Sequence, residues 1–123
     1  PHVNDIELEH FADLLIQIRA QEFSIEAANV RHAHEWQVWK AVKLPDGAIL
    51  MPGVLAHATD LVEHPEYVAE RLINYANVVG KENVKTGTDC GIGSRVGHEE
   101  IVWAKLKSMS EGARIASEHL WKH

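Results

Sequence analysis

The spacing of apolar positions along the chain changes repeatedly between helical and strand-like patterns. Apolar residues at helical spacing predict helices over residues 5–19, 31–41, 64–80 and 98–121. Short apolar runs that end in small or polar residues predict buried strands within 22–28, 48–54 and 83–91. Strands that alternate with helices in this way are typical of an α/β fold with a parallel sheet and right-handed crossovers.

The predicted sheet is small for a closed α/β domain. At 123 residues the chain has the length of about one domain. A parallel sheet needs both faces covered, and open strand edges favour association with other chains. We therefore expect residues 1–123 to form one incomplete α/β domain.

Composition limits the classes of function that the chain can have. No apolar run approaches the roughly 18 residues of a membrane span, and no signal-peptide pattern opens the sequence. The single cysteine cannot form an internal disulfide, so we expect a cytoplasmic protein. A net charge of -6 without a dense basic patch argues against nucleic acid as a partner. We expect no membrane association.

Polar side chains follow each of the three predicted strands. Functional groups of α/β proteins gather at the carboxyl ends of their strands, so residues from separate strands can converge on one site. The residues in question are Glu26, Asn29, Arg31, His32 and His34 after the first strand, His57 after the second, and Asp89 and Cys90 after the third.

Cys90 has two interpretations. Together with Glu26 and histidines it could form a zinc site, because thiolate, carboxylate and imidazole all suit Zn²⁺. A lone cysteine is more often a small buried apolar residue, and no paired C-x-x-C or H-E-x-x-H motif supports a metal site. Composition alone favours the buried thiol.

The histidine pair His32 and His34 also has two interpretations. Two residues apart on a helix they would not share a face, whereas in a loop both could reach one ligand. Alternatively they belong to a helix-start cluster in which Glu35 lies near the helix N-terminus. Asp89 could orient a neighbouring group or cap its loop.

Four segments in register resemble the C-terminal end of the cobalamin-independent methionine synthase family. They are FSIEAANVRHAHEW, MPGVLAHATDLVEHPEYVAERL, VVGKENVKTGTDCGIGSR and IVWAKLKSMSEGARIAS, and they cover nearly the whole chain. The RHAHEW and VEHPE variants look most like the shorter, single-barrel relatives, which include proteins similar to epoxyalkane:coenzyme M transferases.

The resemblance implies the C-terminal portion of a (β/α)₈ TIM barrel, about three βα units preceded by a helix, with zinc at its mouth. Glu26 in Ser-Ile-Glu-Ala and Cys90 in Asp-Cys-Gly take the positions of two zinc ligands. His57 takes the position of a catalytic acid–base histidine. The family's further ligand pair, His-x-Cys, does not occur in this sequence. We expect it on an upstream segment or a partner, and expect the isolated chain to bind zinc weakly.

The function that the resemblance implies is zinc-dependent alkyl transfer to a thiol such as homocysteine, with methyltetrahydrofolate as one possible methyl donor. Ser24, His32, His34 and Asp89 are expected to contact the substrates. Two alternatives stay open: an epoxide:thiol transferase of the coenzyme M type, and a non-catalytic partial barrel that forms homo-oligomers or joins another subunit.

Overall fold

The protein is described by a computed structural model that covers residues 4–93 and 95–122. Its regular elements alternate along the chain as the sequence predicts. The α-helices are α1 (Ala12–Leu15), α2 (Pro65–Val79) and α3 (Glu99–Leu120), and the strands are β1 (Glu22–Ile25), β2 (Ile49–Leu55) and β3 (Gly87–Thr88). Short 3₁₀ helices span Leu8–His10, Glu35–Lys40 and Lys81–Asn83.

The three strands form a parallel sheet in the order β1-β2-β3. Glu22 pairs with Ile49 at one end of the β1–β2 ladder, and Ile25 pairs with Pro52 at the other. Gly53 of β2 lies opposite Gly87 of β3. Because all three strands run in the same direction, their carboxyl ends lie at the same edge of the sheet. This confirms the predicted α/β class.

The two long helices, α2 and α3, agree with the helices predicted over 64–80 and 98–121 to within one residue at each end. α2 and α3 are each preceded by a histidine, His64 and His98, whose Nδ1 accepts a hydrogen bond from a backbone N–H of the first turn at 3.1 Å. Gly80 ends α2 with a φ of 100°, a conformation that glycine adopts without the steric cost of a side chain.

The helix predicted over residues 5–19 is wrong in extent. Instead of one helix, the structure has the 3₁₀ turn Leu8–His10 and the single turn of α1, separated by Phe11 in a non-helical conformation. Apolar residues of this segment, Ile6 and Leu14 among them, stay exposed. Since short helices depend on burial of an apolar face, the periodic pattern alone does not hold a long helix here.

The helix predicted over residues 31–41 is also shorter than expected. Only Glu35–Lys40 is helical, as a 3₁₀ helix, and the residues before it form turns. The Arg71 guanidinium of α2 donates a hydrogen bond to the Ala33 carbonyl, which holds this turn against α2. Tertiary contacts to the turn therefore replace the first part of the predicted helix.

The apolar core has two clusters, and each includes residues of the central strand β2. One gathers Phe23, Trp39, Leu50 and Tyr75, and the other packs Val54 and Leu55 against α2 and α3. Within the described ranges, no helix combines the length and the apolar character needed to cross a membrane. Two tryptophans in the C-terminal segment, Trp103 and Trp121, lie largely outside both clusters and are 66% and 47% exposed.

Candidate functional site

Residues from the carboxyl ends of all three strands meet at one point. Glu26 directly follows β1, His57 lies two residues after β2, and Cys90 lies two residues after β3. A carboxylate oxygen of Glu26, a ring nitrogen of His57 and the sulfur of Cys90 all lie within 4.8 Å of one another. Glu26 is half-buried, His57 is buried and Cys90 faces solvent. The parallel sheet thus brings together three side chains that are far apart in sequence.

Cys90 and Glu26 are in direct contact. The Cys90 thiol donates a hydrogen bond to Glu26 Oε1 at 3.1 Å. This hydrogen bond, together with partial burial and the negative charges of Glu26 and Asp89, raises the pKa of the Cys90 thiol. The exposed position of Cys90 contradicts the interpretation of a buried structural thiol.

Asp89 fastens the loop after β1 to the end of β3. Its Oδ1 accepts hydrogen bonds from the backbone N–H groups of Ala27 and Ala28 at 2.8 and 2.9 Å. Its Oδ2 accepts one from the Asn29 N–H at 2.9 Å. Asp89 is 8% exposed, directly precedes Cys90 in the sequence, and contacts the same Asn29 amide as Glu26. The carboxylate therefore positions the two candidate ligands, while contact with a substrate stays a prediction.

Asn29 extends this arrangement to Glu26. Its side-chain Nδ2 donates to Glu26 Oε2 at 3.2 Å and lies 3.3 Å from Asp89 Oδ2. The two oxygens of Glu26 are thus contacted from different sides, Oε1 by the Cys90 thiol and Oε2 by the Asn29 amide. Such contacts fix the orientation of a carboxylate that is to serve as a ligand.

A buried ion pair holds the loop that carries His57. Lys105 of α3 is fully buried and donates to Glu63 Oε1 at 2.7 Å and to the Leu61 carbonyl at 2.6 Å. The other oxygen of Glu63 accepts a hydrogen bond from the Ala56 N–H at 2.7 Å, next to His57. Neither Lys105 nor Glu63 was among the candidate residues predicted from the sequence. One feature of the sequence does indicate a buried lysine. Lys105 is four residues from both Ile101 and Met109, which places it on the apolar face of α3.

His32 and His34 are not brought together. His32 is half-buried, with Nδ1 in hydrogen-bond contact with Glu35 and Nε2 2.8 Å from Asp5 Oδ2. Buried Glu35 also accepts the Leu8 N–H at 2.6 Å, so this network ties the N-terminal segment to the turn after β1. His34 is exposed and lies outside it.

Ser24 and His32 lie along a separate cavity, of about 620 Å³, at the open side of β1. Glu26 contributes to the lining of this cavity as well. Asp5, Glu26 and His32 also form a group with potential ligand atoms within 4.8 Å of one another. Both ring nitrogens of His32 already contact carboxylates. A metal ion that bound His32 would have to displace a ring proton and break one of these contacts.

The donor atoms of Glu26, His57 and Cys90 fit zinc in kind and in spacing. Zinc–ligand bonds of about 2.0–2.3 Å in a tetrahedron separate neighbouring donor atoms by roughly 3.3–3.8 Å. The Sγ–Oε1 distance of 3.1 Å lies close to this range, and the ring nitrogen of His57 lies within 4.8 Å of the other two donor atoms. Sulfur, oxygen and imidazole nitrogen are the donors that zinc sites use.

The fold has a counterpart among solved structures. The chain is similar to a B12-independent methionine synthase from a Shewanella species, determined in complex with selenomethionine, with a TM-score of 0.76 and 24% identity. The match covers 90% of this chain and 30% of that chain. The chain has the fold of part of this methionine synthase. No family model and no curated protein sequence matches the chain.

This likeness supports the predicted family at the level of the fold. The chain spans about a third of the length of the matched synthase. Its three parallel strands and the crossover helices between them correspond to a portion of a larger α/β structure.

Proposed function

We propose that the chain carries part of the active site of a zinc-dependent thiol alkyltransferase, similar in chemistry to methionine synthases. The observation that supports this most directly is the contact of Cys90 with Glu26, 3.1 Å apart, beside the ring of His57. A thiolate and a carboxylate from separate strand ends form half of a tetrahedral zinc site. The remaining ligands come from a segment or partner that completes the barrel.

In this proposal each residue has one role. Glu26 and Cys90 hold zinc, which when bound would lower the pKa of a substrate thiol so that a thiolate is present near neutral pH. Asp89 and Asn29 keep Glu26 and the loop after β1 in place. His57 donates a proton to the leaving group as the thiol sulfur takes the alkyl carbon.

The substrates follow from the same proposal. The acceptor is a small thiol such as homocysteine, and the donor carries a transferable methyl group, as methyltetrahydrofolate does. An epoxide in place of the methyl donor needs the same residues: the sulfur attacks a ring carbon and His57 protonates the oxygen that is released. Both reactions use a sulfur nucleophile beside a proton donor.

Metal titration of the full chain tests the site. Cobalt(II), a spectroscopic substitute for zinc, should give a thiolate-to-metal absorption band that is absent in Cys90→Ser. Glu26→Gln should weaken binding by at least about tenfold, because it removes an anionic ligand. Glu22→Gln, an exposed glutamate at the start of β1, is the matched control and should leave binding unchanged. Because the chain supplies only part of the ligand set, the titration extends to a large excess of cobalt, and absence of the band even there would contradict the proposal.

The convergence of three donor atoms favours a second role for His57, as a third zinc ligand. His57→Asn separates the two roles. If His57 is the proton donor, the variant keeps the cobalt affinity of the wild type and loses only turnover in the completed enzyme. If His57 is a ligand, cobalt affinity falls together with the intensity of the absorption band.

The non-catalytic alternative rests on the exposed edge of the sheet. β1 lies at one edge, and two apolar residues of the N-terminal segment, Ile6 and Leu14, are 69% and 65% exposed. Such an edge favours pairing with a second chain. Light scattering distinguishes the cases: a stable homo-oligomer that binds no cobalt supports the structural subunit and contradicts the transferase.

A further inference from the structure

The loop between β2 and α2 carries His57 but gains little from apolar burial. Residues 56–64, all within the part of the chain that the structure describes, form neither helix nor strand. Two apolar side chains of this loop, Leu61 and Val62, are exposed, whereas His57 is buried. A loop with so few apolar contacts depends on hydrogen bonds for its order. The position of His57 is therefore set by the polar groups that hold the loop.

The Glu63 carboxylate joins the two ends of this loop. Its Oε2 accepts a hydrogen bond from the Ala56 N–H at 2.7 Å, seven residues back in the sequence and directly before His57. Its Oε1 accepts from the buried Lys105 ammonium group at 2.7 Å. Hydrogen bonds to charged groups are stronger than those between neutral groups. Glu63 thus connects the backbone beside His57 to α3.

One face of α3 makes further contacts with the same loop. Lys105 and Ser108 are three residues apart and share this face. Lys105 donates to the Leu61 carbonyl at 2.6 Å, and the Ser108 hydroxyl donates to the Glu63 carbonyl. The helix therefore fixes two carbonyl groups of the loop in addition to the Glu63 side chain.

A second carboxylate, that of Asp60, links this loop to the loop of Cys90. Asp60 Oδ1 accepts a hydrogen bond from the Gly97 N–H at 2.6 Å. Gly97 lies between β3 and α3, in the loop that also contains Cys90. A β-carbon on Gly97 would lie 2.9 Å from Asp60 Oδ2, so the two loops are in close contact. His57 and Cys90 therefore belong to loops that are fastened to each other.

We propose that Glu63 is a positioning residue that holds His57 beside Cys90, and that Asp60 is a second link between the same loops. Glu63 acts on His57 through the Ala56 N–H and does not itself contact the reacting atoms. Asp60 contributes less, because its contact is exposed and water competes for it. The value of this arrangement for proton transfer rests on the transferase function proposed above, whereas the arrangement itself does not.

Two double variants separate positioning from charge removal. Lys105→Met/Glu63→Gln and Lys105→Met/Glu63→Met both remove the buried charges, but only the glutamine keeps an oxygen that accepts the Ala56 N–H. Hydrogen exchange of the Ala56 amide should be about tenfold faster in the methionine variant than in the glutamine variant. The amide of Leu72, inside α2, reports global unfolding and serves as the reference in each variant. Equal exchange of the Ala56 amide relative to this reference would overturn the proposal.

The wild type gives a test that needs no variant. Its Ala56 amide should exchange at least about tenfold more slowly than in an unfolded chain, because Glu63 accepts its proton. Exchange at the rate of an unfolded chain would overturn the proposal, even where the methionine variant fails to fold.

The distance between the two loops is read by a nuclear Overhauser cross-peak between the ring protons of His57 and the β-protons of Cys90. The donor atoms of these residues lie within 4.8 Å of each other, so the wild type should show this cross-peak. The glutamine variant should retain it, and the methionine variant should lose most of its intensity. Unchanged intensity in the methionine variant would contradict a positioning role.

Asp60→Ala tests the second link at an exposed position that tolerates substitution. We expect faster exchange of the Gly97 amide and a smaller loss of the cross-peak than in the methionine variant. Asp46→Ala, an exposed aspartate in the turn before β2, is the matched control and should change neither. An Asp60→Ala variant that behaves like this control would remove Asp60 from the proposal.

Cobalt binding in the same variants keeps the two proposals apart. A chain whose cross-peak depends on Glu63 but that binds no cobalt contradicts the transferase function alone. A chain that binds cobalt through Cys90, with a cross-peak that is unchanged in the methionine variant, contradicts the positioning role alone.

Discussion

Gly53 and Asp89 approach so closely that residue 53 has no room for a side chain. A β-carbon on Gly53 would lie 2.0 Å from Asp89 Oδ1 and 2.8 Å from the Asp89 backbone nitrogen. The same Oδ1 accepts the N–H groups of Ala27 and Ala28. A glycine in the central strand thus lets the Asp89 carboxylate reach the loop that carries Glu26.

Gly53→Ala should therefore disturb the site as well as the fold. The added methyl group must displace Asp89, and overpacking of this kind costs about 1–3 kcal/mol in the free energy of unfolding. We expect this loss in urea unfolding, together with weaker cobalt binding. Gly93→Ala is the control, because a β-carbon there meets nothing within 4 Å. Equal stability of the two variants would show that the Asp89 contact is not fixed.

The buried Lys105–Glu63 pair should contribute far more to the free energy of unfolding than an ion pair on the surface does. Lys105→Met leaves Glu63 buried without its cation, which is expected to lower the free energy of unfolding by about 3–5 kcal/mol. The double variant Lys105→Met/Glu63→Gln should recover part of this loss, since the buried charge is removed. Urea unfolding of both variants measures the effect.

Lys85→Met provides the matched comparison for this pair. Lys85 forms an exposed ion pair with Glu22, with the side chains 56% and 42% exposed. Its loss should cost no more than about 1 kcal/mol because water screens the charges. If the two lysine variants had similar stabilities, the buried pair would not hold the loop of His57.

His32 should make stability depend on pH. Burial by itself lowers the pKa of His32, but hydrogen bonds to Glu35 and Asp5 and their charges outweigh burial and raise the pKa above 6.5. The protonated ring therefore stabilises the folded state fully below the unfolded pKa, and this contribution is lost as the pH rises through the higher folded pKa.

His32→Asn tests this sign. We expect the variant to be less stable than the wild type by about 1–3 kcal/mol near pH 6, with a smaller difference near pH 9. Thermal unfolding across this range gives the measurement, and His119→Asn, an exposed histidine of α3, is the control. A difference that grows towards high pH would contradict a raised pKa.

The single cysteine makes thiol reactivity a specific probe of the Glu26 contact. In chain freed of metal by a chelator, the raised pKa leaves less thiolate at neutral pH, so alkylation by iodoacetamide should be slow and its pH midpoint high. Glu26→Gln should shift that midpoint down, since it removes the carboxylate that raises the pKa. A profile identical to that of a free thiol would contradict the contact.

Much of the fold could be predicted because its signals are local. The apolar spacing of α2 and α3, the proline at the start of α2 and Gly80 at its end all lie within the segments that they define. The parallel order of the strands also places Glu26, His57 and Cys90 at one edge, as expected for any α/β sheet. The roles of these residues stay predictions until metal binding is measured.

Local patterns in the amino-acid sequence specify the alternation of helices and strands, the ends of the long helices and the residues that follow each strand. Long-range contacts specify the rest: Asp89 holds the loop after β1, Lys105 pairs with Glu63, and the segment 5–19 breaks into short turns. The reason is distance along the chain. Asp89 and Ala27 are 62 residues apart and Lys105 and Glu63 are 42 apart, so no local pattern encodes either contact.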